Sequence, residues 1–133
     1  MSAGSKGKPS DQAAPGRIPD KGEMMGGRVW FSRRGYEITL GLTDAGLEAA
    51  GDIQSIELAD EGSPFEAGDM LFAVEGAESN LEIEAPAPGN VIEVNAGAAR
   101  DPELVEDDPL ESGWLVRVEV ADGDLRGFLS GGR

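Results

Sequence analysis

The side chains that could do chemistry in this chain are carboxylates. The sequence has 26 Asp and Glu residues against 11 Lys and Arg residues, and it has neither His nor Cys. This composition excludes an imidazole base, a thiolate nucleophile, a disulfide and a zinc site of the usual nitrogen–sulfur type. The remaining candidates of note are carboxylates, which are dense in residues 72–86 and 101–112.

The first acidic stretch, residues 72–86, reads FAVEGAESNLEIEAP. Apolar and polar residues alternate on both sides of its centre, which predicts two strands joined by an exposed tip. Alternation also puts Glu82 and Glu84 on the outer face of the second strand. Clustered carboxylates could bind a cation, but the spacing of a calcium loop is missing, so we predict no metal site.

The second acidic stretch, residues 101–112, reads DPELVEDDPLES. Asp101 followed by Pro102 predicts a helix start with a capping carboxylate. A catalytic carboxylate pair needs one member with a raised pKa in an apolar pocket, whereas these acids lie on an exposed, proline-flanked segment. Nucleophile elbows, phosphate-binding loops and dinucleotide fingerprints are also missing. We predict no catalytic residues and a protein that is not an enzyme.

Short strands with Gly and Pro between them must position these carboxylates. Residues 43–51, TDAGLEAAG, predict a short helix capped by Thr43 or Asp44 and ended by Gly51. A last short helix begins at Asp122. Alternating apolar residues predict strands at 28–31, 36–42 and 52–58, from Met70, on both sides of the APAPG turn within 82–95, and at 113–120. The pattern indicates a mainly β fold, a small barrel or sandwich with short helices.

The beginning of the chain differs in composition from the rest. Residues 1–26 are rich in Gly, Ser, Pro and Lys and have no apolar periodicity, which is typical of a disordered tail. We therefore predict a tail over residues 1–26 and one folded domain over residues 27–133, with order beginning near Arg28.

The net charge of −15 limits the partners. Residues 27–133 alone carry a net charge of −16. Such a surface repels phosphate backbones and anionic lipid, so we predict no nucleic-acid and no membrane binding. A basic groove on a protein would be attracted, although solubility or a salty cytoplasm explains the charge equally well. No apolar run approaches the roughly 20 residues of a membrane span. The lack of Cys indicates a reducing cytosol, and we expect a cytoplasmic monomer.

Four long motifs follow Trp30 in a fixed order: GLTDAGLEAAGDIQSIELADEG (41–62), FEAGDMLFAVEG (65–76), EAPAPGNVIEVN (84–95) and DPELVEDDPLESGWLVRV (101–118). With them the chain resembles the H-protein of the glycine cleavage system, a lipoyl and biotinyl carrier family, over roughly residues 28–129. The resemblance implies a mainly β, lipoyl-domain-like barrel-sandwich hybrid with short flanking helices.

The resemblance also assigns the tip of the first acidic stretch. In the family a tip lysine carries lipoate and stands eight residues before the Pro of the next turn, and counting back from Pro86 gives Glu78. A carboxylate cannot form the lipoyl amide, and no lysine follows Lys21. We therefore predict that lipoate is absent. The predicted partner-binding tip consists of Glu75, Gly76, Ala77, Glu78 and Ser79.

Three functions remain open at this point. The first is a non-catalytic protein-binding module, or divergent paralogue, that has lost lipoylation. The resemblance implies partners that recognise lipoyl-domain surfaces, such as glycine decarboxylase, the aminomethyltransferase, dihydrolipoamide dehydrogenase and lipoate-attaching enzymes. The second is a genuine glycine cleavage carrier whose tip has an altered, Lys-to-Glu residue. The third is an enzyme with an unrecognised acidic site.

Overall fold

Strands and short helices make up the computed structural model, which describes residues 18–130. The strands are β1 (Lys21–Met24), β2 (Val29–Arg34), β3 (Glu37–Leu42), β4 (Ile53–Leu58), β5 (Pro64–Phe65), β6 (Met70–Gly76), β7 (Asn80–Glu84), β8 (Gly89–Val94) and β9 (Val116–Glu119). The α-helices are α1 (Asp44–Ala50), α2 (Ala96–Arg100), α3 (Glu103–Asp107) and α4 (Asp122–Ser130), and Met25–Gly27 form a short 3-10 helix.

The strands form two antiparallel sheets. The larger has the order β1-β2-β3-β9-β8-β5, and the smaller has the order β4-β6-β7. Neither closes into a barrel, and the helices are short. The mainly β, lipoyl-domain-like fold predicted from the sequence is confirmed. None of the helices described is long and apolar enough to cross a membrane.

The hydrophobic core follows from alternation along the strands. In β3, Ile38 and Leu40 are buried while the neighbouring Glu37 is exposed. In the smaller sheet, Phe72 and Val74 of β6 are buried while Glu75 is exposed, and Leu71, at the register shift before Phe72, is buried as well. Each such side chain contributes about 1.5–3 kcal/mol when it is fully buried. Alternation therefore fixes which face of each sheet meets the core, and the opposite face is left to polar residues.

Helix α1 is held to the larger sheet by Thr43, which is 8% exposed. The Thr43 hydroxyl accepts a hydrogen bond from the Gly46 N–H at 3.1 Å and donates one to the Gly27 carbonyl at 2.6 Å. The Thr43 N–H donates to the Arg28 carbonyl at 3.0 Å. Of the two predicted caps, Thr43 is thus the N-cap and Asp44 is the first helical residue.

The folded part of the chain begins earlier than predicted. Strand β1 pairs with β2 from Lys21↔Ser32 to Met24↔Val29, so residues 21–24 belong to the sheet and not to a disordered tail. The guanidinium of Arg33 holds the entry to β1 by donating to the carbonyls of Ile18 and Pro19 at 2.8 and 3.0 Å. Residues 1–17 of the predicted tail lie outside the described residues.

Two features near residue 100 also differ from the prediction. Asp101 is the C-cap of the preceding helix α2, where its N–H donates to the Gly97 carbonyl, and its side chain does not cap the helix that follows. Helix α3 begins at Glu103, and Pro102 at its N-cap makes no side-chain bond. Helix α2 itself was not predicted, although the side chain of Asn95 caps it by accepting from the Ala98 N–H at 3.3 Å.

Replacing the α1 cap should destabilise the fold measurably. Thr43→Ala removes both hydroxyl bonds and leaves a buried N–H and a carbonyl without partners, so we expect the free energy of unfolding to fall by about 2 kcal/mol. Thr43→Ser keeps the hydroxyl and should stay close to the wild type. Urea unfolding followed by Trp fluorescence measures both variants. Equal losses in the two variants would show that the hydroxyl does not hold α1.

Candidate functional site at the tip between β6 and β7

The predicted tip lies at the end of a regular hairpin. The register runs from Glu75↔Asn80 through Val74↔Leu81 to Ala73↔Glu82, and the Gly76 N–H donates to the Ser79 carbonyl at 3.1 Å. Leu81 is buried and Glu82 is exposed, as alternation predicts. The turn residues Ala77, Glu78 and Ser79 are all exposed.

Backbone hydrogen bonds fix the tip against the end of α1. The Ala50 carbonyl accepts from the N–H groups of Glu78 at 2.8 Å and Ser79 at 3.4 Å. The Asp52 carbonyl accepts from the Ala77 N–H at 2.8 Å. The last carbonyls of a helix have no partner within the helix, so the tip satisfies groups that would otherwise need water. The hairpin turn is thus tied to the helix and has a defined position.

Two glycines permit this close approach. A Cβ on Gly76 would lie 2.1 Å from the Ala50 carbonyl oxygen. A Cβ on Gly51 would lie 2.5 Å from Cγ of Glu78, and Gly51 has a φ of 73°, which disfavours other residues. The stem of Glu78 therefore passes directly over Gly51, and its carboxylate leaves the surface from a fixed point.

The carboxylates of the hairpin do not converge on one point. Glu75 accepts a hydrogen bond from the Ser55 hydroxyl at 2.9 Å across the sheet. Glu78 forms neither an ion pair nor a side-chain hydrogen bond with a described residue. Within residues 18–130, no group of three or more acidic side chains could hold a metal ion. The tip thus presents one unpartnered carboxylate, that of Glu78, and no catalytic constellation.

Two carboxylates of the second acidic stretch accept hydrogen bonds from backbone N–H groups. Glu106 on α3 accepts from the Ile53 N–H at 3.1 Å, at the irregular start of β4 where the register shifts. Asp108 accepts from the Ser112 N–H at 3.1 Å. These carboxylates satisfy backbone donors, and the structure does not bring them to the tip. Their role was not readable from composition, because it depends on which N–H groups the fold leaves free.

The family of the chain follows from its sequence match. The profile described as "Glycine cleavage H-protein" matches residues 23–130. The chain belongs to the glycine cleavage H-protein family. A relative from Anaeromyxobacter sp. (strain K), named "Glycine cleavage system H protein", is 38% identical over 105 residues, which are 79% of this chain and 82% of the relative.

Two further comparisons agree. "Glycine cleavage system H protein 1" of Caldanaerobacter subterraneus subsp. tengcongensis is 42% identical over 94 residues, 71% of this chain and 74% of the relative. The crystal structure of a glycine cleavage system H protein from Mycobacterium marinum superposes with a TM-score of 0.65 at 30% identity. That match covers 77% of this chain and 85% of the other.

Family membership overturns one prediction. We predicted that lipoate is absent, but glycine cleavage H-proteins carry covalently attached lipoate, and relatives at 36–42% identity are named as H proteins. The prediction of no cofactor is therefore wrong for this family. The family is a carrier family and not itself an enzyme, in agreement with the predicted lack of catalysis.

The residues at the tip do not fit a lipoyl group joined through a lysine amide. The linkage needs an amine, and the side chain that passes over Gly51 to the end of the hairpin is the carboxylate of Glu78. Within residues 18–130 the one lysine is Lys21, on β1 of the other sheet. We therefore assign no step through lipoate to this tip.

The contact between Gly51 and Glu78 can be tested by adding a methyl group. Gly51→Ala forces a residue with a Cβ into a glycine conformation and against Glu78, so the free energy of unfolding should fall by about 1–3 kcal/mol. The N–H groups of Ala77 and Glu78 should also exchange faster with solvent. Hydrogen exchange read by NMR measures the second effect.

Gly62→Ala is the matched control for this experiment. Gly62 also has a positive φ, 86°, but a Cβ there would meet no atom within 4 Å. It should lose stability from backbone strain alone and leave exchange at the tip unchanged. Identical tip exchange in the two variants would contradict the role assigned to Gly51.

Proposed function

We propose that this H-protein-family chain acts as a protein-docking domain that presents Glu78, at the tip between β6 and β7, to a basic pocket on a partner. One observation carries the proposal. The Glu78 backbone is anchored to Ala50 at 2.8 Å, its stem packs over Gly51, and its carboxylate is exposed without a partner. Because the backbone and the stem of Glu78 are already positioned, binding has to order only the end of the side chain.

The candidate partners are the proteins that recognise H-protein surfaces: glycine decarboxylase, the aminomethyltransferase, dihydrolipoamide dehydrogenase and lipoate-attaching enzymes. The net charge of −16 over residues 27–133 supports this proposal, because it attracts a basic surface and speeds the encounter. In the same proposal the chain is a cytoplasmic monomer.

The second candidate function is that of a glycine cleavage carrier. The observation that favours it is family membership, since the profile match covers residues 23–130 and the relatives are named glycine cleavage system H proteins. Docking is a step common to both functions. The two functions differ in whether the partner binds the carboxylate at position 78. A substitution at that position can test this difference.

Reversal of the tip charge should weaken docking. Glu78→Lys opposes the basic pocket, so we expect its affinity for purified glycine decarboxylase to fall about tenfold, and added salt should reduce the difference. Surface plasmon resonance with the full chain measures both. Glu37→Lys makes the same charge change beside the β2–β3 turn of the other sheet and should bind like the wild type. Equal losses in both variants would mean that total charge, and not Glu78, governs binding.

The same substitution tests whether the tip keeps the geometry of the family. Glu78→Lys puts an amine on a tight turn between two strands, where the resemblance implies that a lipoate ligase reads it. When the variant is co-expressed with a lipoate ligase, we expect intact-mass analysis to find a lipoyl adduct. The substitution itself should change the free energy of unfolding by no more than about 0.5 kcal/mol.

Glu37→Lys is again the control, because it also puts an amine next to a turn between strands but should stay unmodified. A folded Glu78→Lys protein without an adduct, beside a modified authentic H protein, would show that the surface read by the ligase differs in this chain. Glycine cleavage proteins would then no longer be the first candidate partners for docking.

A further inference from the structure

Within residues 18–130, strand β7 leaves one side of its backbone without a partner. It is one of the two edge strands of the sheet β4-β6-β7, and among the described strands it pairs with β6 alone. The bond from the Gly76 N–H to the Ser79 carbonyl marks a hydrogen-bonded pair, so the backbone groups of Leu81 and Ile83 face β6. Those of Asn80 and Glu82 face away from β6, towards the open edge.

A second bond supports the same alternation. The Ala59 N–H donates to the Leu71 carbonyl, so the odd-numbered residues of β6 pair towards β4 and the even-numbered ones towards β7. Among the described residues, the outward groups of Asn80 and Glu82 accept only a long bond at 3.4 Å, from the Ser79 hydroxyl to the Asn80 carbonyl. An exposed edge with free N–H and C=O groups is a template for another strand.

The face beside this edge is acidic. Glu82 lies opposite Ala73, and Ala73 lies opposite Glu57, so two carboxylates flank a small residue across three strands. The small side chain leaves a shallow trough of about 330 Å³. Its lining includes Glu57, Glu75 and Glu82 and contains neither Lys nor Arg. A side chain that reaches over Ala73 from an added strand therefore meets negative charge.

We propose that the open edge of β7 binds an extended basic segment of a protein partner, which adds a fourth strand to this sheet. The segment bonds the outward backbone groups of Asn80 and Glu82, and alternate Lys or Arg side chains lie over the trough against Glu82. Backbone pairing gives the affinity, and the spacing of the positive charges gives the specificity. This inference goes beyond docking at Glu78, because it uses the strand edge and not the tip.

Charge selects this occupant over a second copy of the chain. An antiparallel pair of β7 strands would bring Glu82 and Glu84 of one copy against the same residues of the other. Like charges directly opposite each other destabilise a sheet, and charged edge residues prevent self-pairing. The same carboxylates repel nucleic acid and acidic peptides. A basic strand has the opposite effect, because its Lys or Arg side chains form cross-strand ion pairs with these carboxylates.

Synthetic peptides can test the proposal on the full chain. The probe is a short blocked peptide of alternating Lys and Val. We expect it to bind, and to slow hydrogen exchange of the Asn80 and Glu82 N–H groups by at least about tenfold. A peptide of the same sequence with N-methyl groups on the amides that face β7 keeps its charge but cannot complete the ladder, and it should not protect these groups. An alternating Glu and Val peptide should not bind.

Two variants of the chain separate the edge from general charge. Glu82→Lys should weaken binding of the Lys–Val peptide at least about tenfold, whereas Glu37→Lys should change it little. Glu82→Gln keeps the shape of the side chain and should fall between them. Equal binding of the N-methylated peptide, protection on β1 or β5 and not on β7, or self-association through β7 would each overturn the proposal.

Discussion

The rest of the candidate site depends on the contact between the end of α1 and the hairpin tip. The Ala50 carbonyl accepts two N–H groups of the tip, and this approach is possible because Gly51 and Gly76 lack a Cβ. Helix α1 is in turn tied to the larger sheet by the buried hydroxyl of Thr43. A continuous set of hydrogen bonds thus links the larger sheet to the tip of the smaller one. The position of Glu78 therefore depends on hydrogen bonds that begin at Thr43, which is distant from it along the chain.

Local patterns were enough to predict the elements that form this link. Alternation predicted β3, β6 and β7, and the Thr43 cap with Gly51 predicted α1, because these signals lie within a few residues. Strand β1 was not predicted, because its position depends on pairing with β2 and on the Arg33 guanidinium that binds the residues before it. Neither interaction leaves a periodic pattern in the sequence of β1. The position of Glu78 came from a family resemblance, whereas its contact with Gly51 required the structure.

The carboxylates of this chain fall into two groups that composition cannot separate. Glu106 and Asp108 accept from backbone N–H groups that the fold leaves unpaired, so they stabilise structure. Glu78 and Glu82 are exposed, and their side chains bond no described residue. The first group is needed to build the surface, and the second is available to a partner. The net charge of −15 therefore overstates the charge that serves recognition.

The geometry of the tip and the chemistry of the tip are separable. The three bonds that join the tip to the end of α1 use the backbone N–H groups of Ala77, Glu78 and Ser79, and none uses the side chain at position 78. A different side chain at position 78 changes the chemical group at the tip but not the position of the tip. An H-protein-family scaffold can therefore keep a fixed tip while the residue at its end is a carboxylate. The open edge of β7 begins one residue beyond this tip, at Asn80, so the bonds to α1 that fix the point charge of Glu78 also fix the start of the free strand edge.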